Sequence, residues 1–324
     1  MSASSRPAPN GWEIPPDTIR HRHLDPEAAH AAEMWFGGWV PEGAVQDGAR
    51  SVILPLDSGR RLKIKGAGFR GGRVDFTRFR ATGPKALWFD FEGRVAEDVA
   101  MGHDAAHPGG ASFQQAVTEW EVSRRLLAAG EWLPPCLGYG RITEGEAQSW
   151  FSVFEWSARI PSERSWPEVT PEEFLVRLRM MGETTLRMAL NHGLLGFPSA
   201  IHDDTGALMI KDLHPFRQAS PVNMSQVTFA MHLFHALHIK TSDARITAAK
   251  APGLPEDAHL EAFRAALPEA TLADHQDAVD RVLLPYMLQP APRFRVGELV
   301  AVLRSNPITA RLMELVPPDY VRFD

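Results

Sequence analysis

The chain has a single cysteine, so no internal disulfide can form and its order has to come from packing; a reducing compartment fits that usage. It lacks any apolar run approaching the roughly 20 residues that a membrane helix needs. Its first residues, MSASSRPAPNGWEIPPD, hold no apolar signal core. The expectation is a cytoplasmic protein with no membrane partner. A basic excess is missing too: 34 Lys and Arg stand against 40 Asp and Glu, a formal charge of -6, which argues against the basic footprint of a nucleic-acid binder. Repeats are absent, and the only biased stretch is the Pro- and Ser-rich start, where residues 1–17 read as disordered or loosely packed. The lone Cys136, in LPPCLGYG, reads as a small apolar filler in preference to a nucleophile.

What is present is ordinary for a folded chain. At 324 residues and 44% apolar, it is long enough for one large domain or two lobes with their own cores. From about residue 35 to 111 the pattern is β-rich. SVILPL and RLKIKG are short apolar or alternating runs around Asp57-Ser58-Gly59, a hairpin signal. ALWFDF and RVAEDV, around Glu92-Gly93, read as a second hairpin, and RITEGEAQSWFSVFEW as a third that turns near Gly145. Before the third, SFQQAVTEWEVSRRLLAAG reads as a helix. Ser112 caps it, Gln115 completes a capping box, Ala116, Trp120 and Leu127 make an apolar face, and Gly130 ends it. Past residue 160 the pattern turns helical. TPEEFLVRLRMMGETTLRMALNHG takes Thr170 as cap and Pro171 in its first turn, with Phe174, Leu178, Met181, Thr185 and Met188 on one stripe. Further helical patterns follow at about 224–240, 257–266, 271–289 and 296–304. The expectation is an α+β fold in two lobes: a β-rich N-lobe with one main helix over 18–160, and a mainly helical C-lobe over 161–324 that includes a hairpin turning at Asp203-Asp204-Thr205-Gly206.

Three charged positions stand in a telling order. Lys65 ends a strand, Glu119 lies inside the capped helix that follows, and Asp212 ends the strand after the turn. In a two-lobed phosphotransferase, a strand lysine and a helix glutamate pair to hold phosphates, and an acid after a late hairpin binds the metal. The chemistry calls for these types because the transferred group carries dispersed negative charge and catalysis is mainly electrostatic positioning. Singly, a strand lysine is an edge residue, a helix glutamate a surface charge, and an Asp after a strand a turn former. The order is more specific than its parts, and it expects the Lys65 amine and the Glu119 carboxylate within about 4 Å of each other.

At these residues the sequence resembles selenoprotein O, a kinase-fold family of protein adenylyltransferases. FGGWVPEGAVQDGAR, from Phe36 to Arg50, is similar to that family's FG-x-W-V-P-Q-x-G-D-G-R stretch, and KIKGAG, from Lys63 to Gly68, to its L-K-G-A-G strand end. Thr118-Glu119-Trp120 falls where the family has R-E-F, His192-Gly193 at its catalytic segment, and DLHPF at 212–216 where it has D-Y-G-P-F. The matches run in order over about residues 35–216. The resemblance implies a bilobal protein-kinase-like fold that binds ATP and Mg²⁺ between the lobes and transfers AMP, in preference to phosphate, to a hydroxyl of a protein or small molecule. Carried over by position, Lys65 and Glu119 are the phosphate-holding pair, Asp212 binds the metal, and Arg50, Arg70 and Arg73 are the arginines near the nucleotide.

The departures matter as much. Where the family has a base Asp and a metal Asn, the same register puts Pro198 and Ser199. Aligning to small-molecule kinases with an H-G-D-L-H-P-x-N segment puts Leu194 at the base and again Ser199 at the amide. Neither proline nor leucine takes a proton, and serine is the weaker metal ligand. A further register makes Asp212 the base and puts Arg217 at the metal amide. His192 and His214 are candidate substitute bases. A noncatalytic nucleotide- or partner-binding module, or a small-molecule tailoring enzyme, stays open beside the transferase. His232, His235 and His238 recur at metal-permitting helical spacing but read as structural, as does His202-Asp203-Asp204 at its turn. GFRGGR at 68–73 reads equally as a flexible turn and a phosphate cradle.

Overall fold

Alternation along RLKIK decides the centre of the structure. Leu62 and Ile64 point to one face and are fully buried, while Arg61, Lys63 and Lys65 point to the other. Burying each of those two aliphatic side chains is worth about 1.5–3 kcal/mol. The computed structural model describes residues 6–7, 16–69, 72–84, 103–157, 160, 170–196, 199–202, 205, 207–213, 217–218, 226–248, 253–285 and 296–316. It divides into two compact units, Met1–Pro161 with His202–Pro215, and Ser162–Ile201 with Phe216–Asp324.

The first unit is built on a six-stranded antiparallel sheet. Its strands are β1 (Thr18–Arg22), β2 (Val45–Asp47), β3 (Ser51–Pro55), β4 (Arg61–Lys65), β7 (Cys136–Glu144) and β8 (Ala147–Glu155), in the order β1-β7-β8-β4-β3-β2. The Asp57-Ser58-Gly59 turn joins β3 to β4, and Gly145, at φ 57°, turns β7 into β8. One face of the sheet is apolar. Val52, Leu54, Leu62, Ile64, Phe151 and Val153 pack there with Ala28, Ala32, Trp35 and Phe36 of helix α1 (Pro26–Phe36). That helix has a clear local start, Asp25 accepting from the Ala28 amide with Pro26 at the first turn, yet the apolar periodicity on which the other helices were read is carried in it by alanines. Strands β5 (Arg80–Pro84) and β6 (His103–Ala106) pair with each other; the hairpin expected around Glu92-Gly93 falls between them, outside the described residues.

Helix α2 (Phe113–Ala128) starts on Ser112, with both arms of the capping box to Gln115 formed. It packs on β7 and β8. Its buried face includes Ala116 of the apolar stripe that the sequence offers, with Val117, Val122 and Leu126, but Leu127 is 36% exposed and Trp120 half-buried, while Gln114, Gln115, Thr118, Glu119, Glu121 and Ser123 are also buried. The polar face of the sheet requires this, because Lys65 needs an anion there. Strand β9 (Leu208–Lys211) belongs to the same unit through the Ile210 amide, which donates to the Trp132 carbonyl at 2.9 Å.

The second unit is helical. Helix α3 (Pro171–His192) carries the expected cap at Thr170, a capping box with Glu173, and a left-handed Gly193 at its end; Phe174, Leu178, Met181, Thr185 and Met188 are all buried. It is followed by α4 (Gln226–Ala248), α5 (Glu261–Arg264), α6 (Leu272–Ala278), α7 (Val296–Ser305) and an unforeseen α8 (Pro307–Glu314), capped by Asn306. Helices α3 and α5 cross so closely that a Cβ on Gly182 would meet the Ala262 carbonyl oxygen at 2.2 Å, and Arg179 holds Glu261 at 2.6 Å beside that crossing. The core of this unit centres on Phe229, Phe234, Leu237, Phe263, Leu303 and Leu312. Among the described residues, no helix is long and apolar enough to cross a membrane.

After β4 the chain turns at Gly66, whose φ is 91°. Its amide and that of Ala67 both donate to the Arg50 carbonyl. A Cβ at Gly66 would lie 2.5 Å from the Trp150 carbonyl oxygen. Gly66→Ala therefore combines a left-handed backbone with a backbone clash, and is expected to cost at least about 1–3 kcal/mol, read as a lowered thermal midpoint, with the loss concentrated in the Lys65 segment when followed by hydrogen exchange.

Candidate active site: a buried lysine between two carboxylates

Lys65 sits on the middle strand of the three in register at this point. Ser51 lies opposite it on β3 and Ser152 on β8, both buried. These small neighbours leave room above the polar face for a lysine side chain to meet α2. Lys65 Nζ donates to Glu119 Oε1 at 2.5 Å and to Asp212 Oδ1 at 2.8 Å. The Lys65 and Glu119 side chains are 10% and 2% exposed, and that of Asp212 is 34% exposed. Lys65 and Glu119 thus meet as the sequence order anticipates, and Asp212 joins them. Asp212 adopts φ 57°, the left-handed region that Asp and Asn tolerate best among side-chain-bearing residues. That turn out of β9 swings its carboxylate toward the lysine.

Burial works against the charged form of Lys65, but Asp212 and then Glu119 outweigh it, so its pKa is raised from the ordinary 10.5. A raised folded-state value means that the ammonium contributes stability below about pH 10.5, and that this contribution is lost as pH climbs through the folded-state value. Throughout the neutral range the site is one cation between two anions.

The cluster opens into a narrow pocket. Lys63, Lys65, Glu119, Lys211 and Asp212 line its polar side, and Pro134, Phe154, Trp156, Ile210 and Leu213 its apolar side. It holds about 300 Å³ of empty space including open solvent, but only about 20 Å³ admits the centre of a water molecule, room for one or two waters. Lys63 is a site residue that was not singled out from the sequence, although the same alternation that aims Lys65 aims it. Its Nζ contacts Asp47 and stands 4.3 Å from the Trp156 ring centroid. Burial pushes its ammonium below the ordinary lysine range against the opposing pull of Asp47.

Arg50 and Arg73 hold partners of their own. Arg50 donates to the Gly110 carbonyl at 2.9 Å and to Gln115 at 3.0 Å, tying the β2–β3 turn to the start of α2. Arg73 pairs with Glu144 at the β7–β8 turn. His192 lies in the last turn of α3, in the second unit. Leu194 is 1% exposed, in a two-residue ladder with Gln218. Ser199 begins a short strand, and its side chain, with Arg70, Pro198 and His214, lies outside the described residues. Cys136 is buried, and burial followed by the nearby Glu119 raises its thiol well above the ordinary value, so no thiolate is available there. His232 bonds the Thr228 carbonyl, and His238 approaches His275 at 3.4 Å. Among the described residues no group of three or more His, Cys, Asp or Glu side chains is placed to hold a metal ion.

Removing one partner of a buried pair leaves the other charge uncompensated, which costs about 3–5 kcal/mol, whereas replacing both by apolar groups is often neutral. Lys65→Met should therefore lower the unfolding midpoint sharply, and Lys65→Met combined with Glu119→Leu should recover part of the loss. A purely additive double variant, read in thermal or urea melts, would contradict the direct coupling seen here.

No protein-family model matches the chain, and no curated protein does. Similar solved structures include WaaP in complex with acyl carrier protein, at 17% identity over 92% of this chain and 100% of that one, with a TM-score of 0.33. The Rio2 kinase-ADP/Mg²⁺-phosphoaspartate complex from Chaetomium thermophilum matches at 15% identity over 82% and 70%, TM-score 0.30. The MAP kinase LmaMPK10 from Leishmania major matches at 11% identity over 87% of both chains, TM-score 0.26. At TM-scores this low, the likenesses carry no weight for fold or function.

Proposed function

We propose that this chain is an ATP- and Mg²⁺-dependent transferase with a bilobal, kinase-like fold, moving an adenylyl group in preference to a phosphoryl group onto a hydroxyl of a protein or small molecule. The observation that carries the reading is the buried Lys65, bound to Glu119 at 2.5 Å with Asp212 at 2.8 Å. The sheet supports it. The lysine ends the third of three consecutive antiparallel strands, and the glutamate lies on the helix between that strand and the next two strands of the same sheet. Protein kinases place their phosphate-binding lysine and its glutamate in this way. The motifs shared with selenoprotein O favour adenylyl transfer.

In this reading Lys65 binds the nucleotide's phosphates and Glu119 fixes its ammonium. The Asp212 carboxylate, partly exposed and of the hard oxygen type that Mg²⁺ accepts together with phosphates and water, would hold the metal. Bound Mg²⁺ supplies neutralisation of phosphate charge. The acceptor oxygen forms a bond to the α-phosphorus as the bond to the bridging oxygen breaks. Pyrophosphate leaves, and the hydroxyl proton passes to His192, His214 or water. Lacking a base at Pro198 or Leu194, the reaction relies on positioning and charge, which phosphate-centred transfer permits. General-base help contributes about 10²–10⁴-fold, so its loss predicts slow turnover and not silence.

A second reading, nucleotide binding without transfer, is favoured by one observation: Leu194, one of the two positions aligned with the base, is buried in a β-ladder. Intact-mass spectrometry after incubation with ATP, Mg²⁺ and candidate acceptors separates the two. Addition of AMP supports the proposal, addition of phosphate corrects the transferred group, and binding without any mass change supports the second reading.

Asp212→Asn keeps a residue that tolerates the left-handed backbone while removing the charge. It is expected to weaken Mg²⁺-dependent ATP binding by about tenfold or more in calorimetry. Equal affinity in Mg²⁺ for parent and variant would overturn the metal assignment.

A further inference from the structure

The pocket's aromatic surface is already occupied. Trp156 follows β8, and the Lys63 ammonium stands over its ring at 4.3 Å. Lys63 is two residues from Lys65 on one strand face, so the two side chains leave the backbone about 6.5–7 Å apart. Two buried like charges so close repel each other, and they are held differently. Lys65 is gripped by two carboxylates. Lys63 rests on the ring and on Asp47, whose side chain is 38% exposed at the end of β2. The pocket between them admits one or two waters, so no planar base reaches the Trp156 face while Lys63 covers it. A lysine stem has four rotatable bonds and a compact head, and among the described residues it is Asp47 with which Lys63 forms its ion pair.

We propose that Lys63 is a displaceable plug that makes this pocket select nucleotides over nucleosides; the proposal rests on the nucleotide-binding reading above. In this structure its ammonium caps Trp156. When an adenine nucleotide enters, the base takes the Trp156 face and Lys63 swings to the phosphates beside Lys65. A nucleoside has to displace the same ammonium but offers no anion to receive it. Charge carried by the ligand thus uncovers the surface on which its own base stacks. A Lys63–Asp47 pair with a structural role alone would treat the two ligands alike.

The test is binding of ATP and of adenosine, in Mg²⁺, to the parent, Lys63→Met and Trp156→Leu, by calorimetry. Lys63→Met should bind adenosine about fivefold more tightly, because the cation–π contact no longer has to be broken, and ATP about tenfold more weakly, for want of a charge-assisted contact. Trp156→Leu should weaken both. Parallel changes for the two ligands in Lys63→Met overturn the proposal. A measurement on the parent keeps it testable should that variant not fold: amine labelling followed by peptide mass spectrometry should show Lys63 more reactive with adenosine and less reactive with ATP, and equal reactivity in both overturns it. If the parent binds neither ligand, the nucleotide reading falls and this inference with it. If the parent binds ATP while the ratio of affinities does not respond to Lys63→Met, this inference alone falls.

Discussion

A charged ammonium under the surface is the constraint around which the first unit is arranged. Lys65 is held at 2.5 Å by Glu119 and at 2.8 Å by Asp212. Taking such a cation out of water costs several kcal/mol, and well-packed apolar residues would serve stability equally well or better. The features around it make sense as means of meeting that cost. Small serines flank it on both neighbouring strands. A fully formed capping box fixes where α2 begins, and with it the turn on which Glu119 falls. Arg50 braces that helix start from the β2–β3 turn. Polar residues share the buried face of that helix with Ala116, Val117, Val122 and Leu126.

Local chemistry was legible in the sequence wherever one short segment settles it. The Asp57-Ser58-Gly59 turn, the Gly145 turn, and the caps at Ser112 and Thr170 need only neighbouring residues, and each is formed as read. The pairing of Lys65 with Glu119 was legible through order, since a strand lysine, a glutamate in the following helix and a late aspartate stand in the order of a phosphate-holding site. The buried face of α2 was legible only in part, because the sheet against which it packs also takes in polar residues; Ala116 is buried as read, but Leu127 stays exposed while Glu119 and Thr118 go inside. Helix α1 hid behind alanines. Lys63 was in plain view, two residues before Lys65, but its significance comes from Trp156 and Asp47, which lie about ninety residues after it and sixteen before it in the chain.

Asp212 shows the limit of reading by segment. Its place at the end of a strand was plain, but its membership was not. The sequence pattern attaches 202–215 to the helical half, whereas packing gathers it with the sheet. The cause is non-local: the Ile210 amide finds its acceptor at Trp132, in the loop after α2. A carboxylate delivered by that one hydrogen bond and a left-handed turn at Asp212 is set by contacts almost eighty residues apart.

The narrowness of the pocket bears on rate as well as on selectivity. In the proposed reading, a binding-competent form parts Lys63 from Trp156 and Asp212 from Lys65, contacts that are made in this structure, and apparent affinity falls in proportion to the population of that form. A polyphosphate would replace the same contacts, its oxygens taking over the ammonium that Asp212 releases and Asp212 turning to a metal. Opening would then be driven by the ligand's charge and not by its base. For a chain without an aspartate at either base position, positioning by two lysines would act on the charge that develops at phosphorus, the part of the barrier that remains accessible when no base is present.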